Sequence, residues 1–212
     1  MVGIVVPKML IGAIAQPVLI EFRGGGTTLS IIRRLTQQQN YFRGHGIDIG
    51  GGGDSIARYA NELGFIDCRN WDIADGDAQY LEGVADNQYD FLYSSHCLEH
   101  MLDPTVALEN WVRVVKPGGN LVIMIPEEEL YEHLHWPPRY NTDHKFSFTI
   151  YKPEARLPNS INVFDLLKFV GDKVEILKIE RLEAGYRNDV GDADQTWSGD
   201  CECAIEIALR KL

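Results

Sequence analysis

The segment Gly46-Ile47-Asp48-Ile49-Gly50-Gly51-Gly52-Gly53-Asp54 constrains this chain more than any other. Four consecutive glycines after a short apolar run allow positive φ and a close approach of the backbone to a ligand. Ile47 to Ile49 reads as a strand. Ser55 to Leu63 reads as a short helix, with Ile56, Tyr59, Ala60 and Leu63 at helical spacing. Strand, glycine turn and a helix start with free N–H groups together make a ligand site beyond the carboxyl end of a parallel sheet. A glycine loop alone also suits a plain turn, so the residues that follow must decide.

Downstream, a second strand is expected to end near Trp71-Asp72, and a very short third to precede Asp77. Tyr89 to Ser94 and Leu121 to Ile125 read as buried strands. Between them lies an amphipathic helix, Pro104 to Val115, closed by a turn at Lys116-Pro117-Gly118-Gly119. Apolar runs separated by helices predict an α/β fold with a mostly parallel sheet covered on both faces. After Pro126 comes a long polar and aromatic segment to about Ser160. A helix over 163–170 follows, and then strands over 174–182 and 201–209, expected as an antiparallel hairpin. Residues 1–43 form a lead-in in which Thr28 to Gln39 is expected to be helical, with Leu29, Ile32 and Leu35 on one face. No linker interrupts the chain, so 1–212 is expected to be a single domain. Its parts are the lead-in, a binding half over 44–126, and an acceptor-side loop and hairpin over 127–212.

The 212 residues carry a formal net charge of −11. Such a surface disfavours nucleic acid and anionic membrane as partners. Cys68, Cys97, Cys201 and Cys203 form no CxxC pair, which fits a reducing, cytoplasmic setting. The apolar run Met9 to Ile20 contains Ala13-Ile14-Ala15, which resembles a signal-peptidase site, but other features argue against export. Lys8 lies against it, Pro7 and Pro17 interrupt it, and no basic segment precedes it, so a strand or helix packed on the domain is expected.

Asp72 lies about twenty residues beyond the loop, at the end of the second strand, where a carboxylate accepts hydrogen bonds from both ribose hydroxyls of an adenosine. Asp77 can accept from an adenine amino group while the backbone N–H of Ala78 donates to a ring nitrogen. Taken alone, Asp72 could equally be a helix cap and Asp77 a turn residue. In this order they point to an adenosine-containing ligand.

Asp48-Ile49-Gly50-x-Gly52, Asp77-Ala78, the run Tyr89 to Ser95, Leu98-Glu99-His100 and the run Arg113 to Gly119 together resemble the class I S-adenosylmethionine-dependent methyltransferases, small-molecule type, of the methyltransferase type 11 group. The resemblance implies a Rossmann-like sheet of seven strands with a reversed last strand, S-adenosylmethionine as cofactor, and a small-molecule acceptor methylated on oxygen or nitrogen. Sugar and natural-product enzymes offer the nearest analogy. It implies that Asp48 and Gly50 to Gly52 face the methionine part, Asp72 and Ile73 the ribose side, and Asp77 and Ala78 the adenine. Ser94, Ser95 and His96 would line the floor where donor and acceptor meet. Asp54 stands where the family often has a third glycine. The stretch from Asp54 to Asp72 is compressed, so Asp67 and Asp75 are alternatives to Asp72.

A nicotinamide reading lacks the third glycine. A non-catalytic module that keeps the cofactor fold is a second possibility. His96-Cys97-Leu98-Glu99-His100 also matches H-x-x-E-H, the inverted zinc-peptidase pattern, with Glu175 as a distant third ligand. Because it directly follows a buried strand in a Rossmann-type order, it is read as structural, and no metal is expected.

For the acceptor side, histidine titrates near neutral pH, which makes His144, the first choice, and His96 and His133 candidate bases. Glu127 is a further candidate, against the alternative of a solvated acidic turn at Glu127-Glu128-Glu129. His133 and His135 could equally belong to a surface loop. Tyr131, Trp136 and Tyr140 suit a lid or acceptor wall, or a small satellite core.

Overall fold

The computed structural model describes residues 3–6, 18–21, 33–150, 152, 154–196, 199 and 201–212. Strands β1 (Gly3–Val6) and β2 (Val18–Glu21) pair antiparallel. The end of the apolar run Met9 to Ile20 is therefore strand, while its first part, to Pro17, lies outside the described residues. So does the first part of the helix expected from Thr28. Its remainder is helical, as a wide turn over Arg34–Gln38 that tightens over Gln39–Tyr41.

The main sheet has six strands among the described residues: β3 (His45–Ile49), β4 (Asp67–Trp71), β5 (Tyr89–Ser95), β6 (Val115–Pro126), and further along β9 (Val174–Leu182) and β10 (Ala204–Lys211). Their order is β4-β3-β5-β6-β10-β9. The first four run parallel, and β10 is antiparallel to both β6 and β9. The chain order reverses beside β3 and β5, which places a ligand crevice at their carboxyl ends. The short third strand expected before Asp77 is not formed. Residues 72–80 make turns instead, with the Asp75 N–H on the Asp72 carbonyl at 2.7 Å. Ile73 there is 94% exposed, so this stretch has no apolar face to bury as a strand.

Alternation along the strands builds two cores. Leu92, Leu121, Ile123 and Ile125 face one side with Ile47 and Ile49. There they pack against Leu108, Trp111 and Val112 of the helix over Pro104–Val114. Phe91, Tyr93, Val122 and Met124 face the other side and pack with Phe42, Ile56, Leu63 and Phe65. The helix expected over 55–63 is a tight turn, Ile56–Tyr59, running into α1 (Ala60–Leu63). Ser55 starts it by accepting from the Ala57 N–H, and Gly64 stops it at φ +78°. Helix α2 (Pro104–Val114) begins with Pro104 in its first turn and Asp103 accepting from the Thr105 and Val106 N–H groups. It stops at Val115, which already pairs with Tyr89 in the sheet.

The 127–160 segment folds over the carboxyl ends of the strands. Glu127 bridges to Phe148, and β7 (Ser147–Thr149) pairs with β8 (Ser160–Asn162). Asn162 caps α3 (Val163–Leu167), which is shorter than the helix expected to Val170. A further turn follows it, and Val170 is buried.

Candidate active site

The loop after β3 depends on its glycines. Gly50 has φ +75°, and a Cβ there would fall 2.8 Å from Cys97 Sγ. A Cβ on Gly51 would fall 2.4 Å from Asp48 Oδ2 and 2.8 Å from Asn70 Oδ1. Both gaps are shorter than any real carbon contact, so the close packing of loop, β3 and β4 excludes a side chain. Asp48 organises the far side of the loop. It is buried, and its Oδ2 accepts from the Ile56 N–H at 2.8 Å, fixing the start of the following turn. Burial pushes its carboxyl up to about 6, against the pull of Ser55, Ile56 and Arg34. Arg34 in turn donates to Tyr93 Oη at 3.0 Å and to Asp54 Oδ2 at 3.1 Å. Asp54, in place of a third glycine, thus anchors the lead-in helix to the loop.

On β4, residues two apart share a face. Asn70 Nδ2 donates to the Gly52 carbonyl at 2.9 Å, and Asp72 lies on the same face. A Cβ on Gly52 would stand 3.6 Å from Asp72 Oδ2, so the loop and this carboxylate face one another across a narrow gap. Asp72 Oδ1 accepts from the Ile73 N–H at 2.8 Å, and the Asp72 N–H donates to Asp75 Oδ2 at 3.0 Å. Of the three acids, Asp67 instead pairs with His45 at the amino end of β4, and Asp75 braces the turn with Arg69. Asp77 is exposed, with Oδ1 on the Gln79 N–H. The Ala78 carbonyl accepts from Trp111 Nε1 at 2.9 Å, which holds the Asp77-Ala78 corner to α2.

These features fit S-adenosylmethionine. A loop whose first two glycines leave no room for a side chain faces the Asp72 carboxylate across a narrow gap, and a carboxylate there can accept from ribose hydroxyls. Beside it stand an exposed apolar Ile73, suited to cover a planar base, and an exposed acid at Asp77.

Ser94 Oγ donates to the Ile49 carbonyl at 3.0 Å, locking β5 to β3 just below the crevice, and Ser95 is half-buried beside it. His96 follows with φ +51°, a conformation that costs a non-glycine residue about 1–3 kcal/mol and clusters at functional sites. Its N–H is tied to the Met124 carbonyl at 3.0 Å. His96 Nδ1 donates to Glu99 Oε1 at 3.2 Å, and 36% of its side chain is exposed. A carboxylate only accepts, so Nδ1 carries a proton, and in the neutral ring Nε2 is the nitrogen with the lone pair.

His144 is buried. Its Nδ1 donates to Glu132 Oε1 at 2.7 Å, its Nε2 lies 3.7 Å from Glu99 Oε1, and its ring packs at 5.1 Å from Tyr131 and 4.9 Å from His100. The Tyr131 ring is also 5.6 Å from that of His96. The fold therefore brings His96 and His144 into one cluster through Glu99. The other two candidate bases lie elsewhere. Glu127 is buried and its Oε2 accepts from the Glu129 and Leu130 N–H groups, capping a turn, while burial raises its carboxyl. Glu128 is buried against Lys152 at 2.7 Å, so the acidic triplet is not a solvated turn. His133 packs on Tyr140 and Tyr186, with burial lowering its imidazole.

The zinc-peptidase geometry is not built. Leu98–His100 is a single tight turn, not an α-helix that would set His96 and His100 on one face, and Glu175 on β9 pairs with Arg210 at 3.2 Å. Sequence reasoning missed Glu132 and Asn70. Asn70 was signalled by its spacing of two from Asp72. Glu132 had no local signal, because its partner is placed by the fold of the loop.

Residues 24–123 match the family model described as methyltransferase domain. The fold is shared with an S-adenosylmethionine-dependent methyltransferase from Archaeoglobus fulgidus (21% identity, 88% of this chain and 95% of that one, TM-score 0.57). It is shared also with enzymes described in the same terms from Listeria monocytogenes (12% identity, 87% and 96%, TM-score 0.56) and Methanosarcina mazei (18% identity, 82% and 96%, TM-score 0.54). No curated protein sequence matches the chain significantly. The matched span holds the glycine loop, Asp72, Asp77 and the β5 and α2 motifs. Over that span the chain is similar to a methyltransferase domain, and its fold is that of S-adenosylmethionine-dependent methyltransferases. That domain and that fold go with methyl transfer as the activity and S-adenosylmethionine as the cofactor.

Proposed function

We propose that this enzyme methylates an oxygen or nitrogen of a small-molecule acceptor, and that His96 is the group that takes the acceptor's proton. The observation that carries the reading is His96 itself. It stands at the carboxyl end of β5 in a strained conformation, with Nδ1 held by Glu99 and Nε2 without a partner among the described residues. When bound, S-adenosylmethionine supplies a methyl group activated on a sulfonium. Ser94 and His96 hold the floor rigid through their bonds to Ile49 and Met124, which serves the alignment such a displacement needs. His96 Nε2 accepts a proton from the acceptor, and the buried Glu99 carboxylate stabilises the imidazolium that forms.

His144 is then a positioning residue: it backs Glu99 from the interior and reaches no acceptor directly, its side chain being 1% exposed. Gly50 to Gly52, Asp72, Ile73, Asp77 and Ala78 hold the cofactor. The net charge of −11 argues for a small polar or cationic acceptor over a nucleic acid. Among the described residues, no helix is long and apolar enough to cross a membrane. Tyr131 and Tyr140 supply aromatic surface on the acceptor side, which suits a sugar or an aromatic ring.

The test is methyl transfer from labelled S-adenosylmethionine across a panel of sugars, phenols and amines. An accepted substrate should lose about 10²–10⁴-fold in turnover with His96→Ala, with cofactor affinity kept. A raised acceptor KM with unchanged turnover would show that His96 only holds the acceptor.

A further inference from the structure

We propose that Glu99, His100 and His144 form a binding site for a divalent first-row transition cation, zinc foremost, just behind the end of β5. One ligand atom from each of the three lies within 4.8 Å of the others. Two imidazoles and one carboxylate are the donor set that zinc and its neighbours favour. Ligand atoms about 2.1 Å from a zinc lie roughly 3–3.5 Å apart. Glu99 Oε1 and His144 Nε2, at 3.7 Å, are already close to that. Small side-chain rotations would bring the third ligand in.

Three further observations point to a ligand. First, the histidines are held by their outer nitrogens. His144 Nδ1 donates to Glu132 Oε1 at 2.7 Å, and His100 Nδ1 donates to the Asp143 carbonyl at 3.3 Å. Each bond fixes the tautomer that leaves Nε2 with a lone pair, which is how carboxylates and carbonyls prepare metal-ligating histidines. Second, Glu99 is wholly buried, and its Oε2 has no hydrogen-bond partner. An unpaired buried carboxylate oxygen is costly, and a coordinated cation would satisfy it. Third, Glu132 is also wholly buried, with its own Oε2 unpartnered. Two closed-in carboxylates are shared by His144 and, at Glu99, by His96, and with both rings in the neutral tautomers that keep Nε2 unprotonated their charge stays uncompensated. A divalent cation restores the balance.

The backbone around the cluster is braced. The Lys145 and Phe146 N–H groups both donate to the Glu99 carbonyl, at 2.9 and 3.2 Å, and Lys145 Nζ reaches the His100 carbonyl at 2.6 Å. A cation here would tie the acceptor-side loop to the strand end that carries His96. Three protein ligands leave at least one coordination position for water or an acceptor oxygen.

The test uses the full chain, stripped with a chelator, in a Cys201→Ser, Cys203→Ser background. Those two sulfurs lie 3.4 Å apart and would compete for zinc. Calorimetry with zinc chloride alone, and visible absorption with cobalt(II) alone, report binding without S-adenosylmethionine. Failure here is therefore separate from failure of the methyl-transfer reading. We expect one cation per chain, with affinity falling tenfold or more in His100→Ala. His100 is half-buried at the edge of the cluster, so that variant keeps its fold. His135→Ala, whose ring pairs with the exposed Asp192, should bind like the parent. Absence of binding at roughly 100 μM zinc, far above the dissociation constant of a built site, overturns the proposal. So does a loss smaller than tenfold in His100→Ala, or an equal loss in His135→Ala.

Discussion

Replacing Asp48 with asparagine should remove a pH-dependent burden on the fold. The Asp48 carboxyl titrates at about 6 in the folded protein against an ordinary value of 3.8, because burial disfavours its charged form. Between those values the native chain holds a proton that the unfolded chain has released. Stability therefore falls as pH rises from about 4 to about 6, and the full cost is present above that window. A shift of about 2 units at about 1.36 kcal/mol each sets that cost near 3 kcal/mol. The substituted amide would be neutral throughout, and its oxygen can still accept from the Ile56 N–H that Asp48 Oδ2 meets at 2.8 Å. Urea denaturation of both proteins, free of ligand, at steps from pH 4 to 8 isolates the effect. The stability of Asp48→Asn minus that of the parent should climb by up to about 3 kcal/mol between pH 4 and 7 and then level off. A difference that stays flat, or that falls with pH, would refute the reasoning that this carboxylate is forced into a dry site.

Asp72→Ala should weaken S-adenosylmethionine binding by about 1.5–3 kcal/mol, the range for hydrogen bonds to a charged group, and leave the melting temperature within a few degrees of the parent. Asp75→Ala, by contrast, should bind the cofactor nearly as well, since that carboxylate braces the Asp72 turn and Arg69. Gly50→Ala combines positive φ with a methyl 2.8 Å from Cys97 Sγ, and chemical denaturation should show a loss of about 1–3 kcal/mol.

What the sequence showed and what it hid follow one physical division. Strands β3, β5 and β6, the helix start at Pro104 and the glycine loop are set by neighbours within a few residues, through alternation, caps and turns, and these were legible. So was the antiparallel hairpin of β9 and β10. The third strand failed because Asp72 to Asp77 has the turn chemistry of aspartate and glycine and only one large apolar side chain, Ile73, which lies exposed. In the candidate site, Asp72 and the loop share a local framework, so their facing was expected. The cluster of His96, Glu99, Glu132 and His144 was not, because Glu99 and His144 are 45 residues apart and meet only when the 127–150 segment folds over the strand ends. The acidic run at Glu127 had the look of a solvated turn. Its burial depends on Lys152 and Arg156, which approach from the other side of that loop.

Calorimetric titration of the purified chain with S-adenosylmethionine and with its demethylated product tests the central claim most directly. A single saturable site for both ligands, weakened in Asp72→Ala and unchanged in Asp75→Ala, is the predicted result. No heat and no thermal shift with either ligand at roughly millimolar concentration, where even a dissociation constant near 1 mM would register, would contradict it.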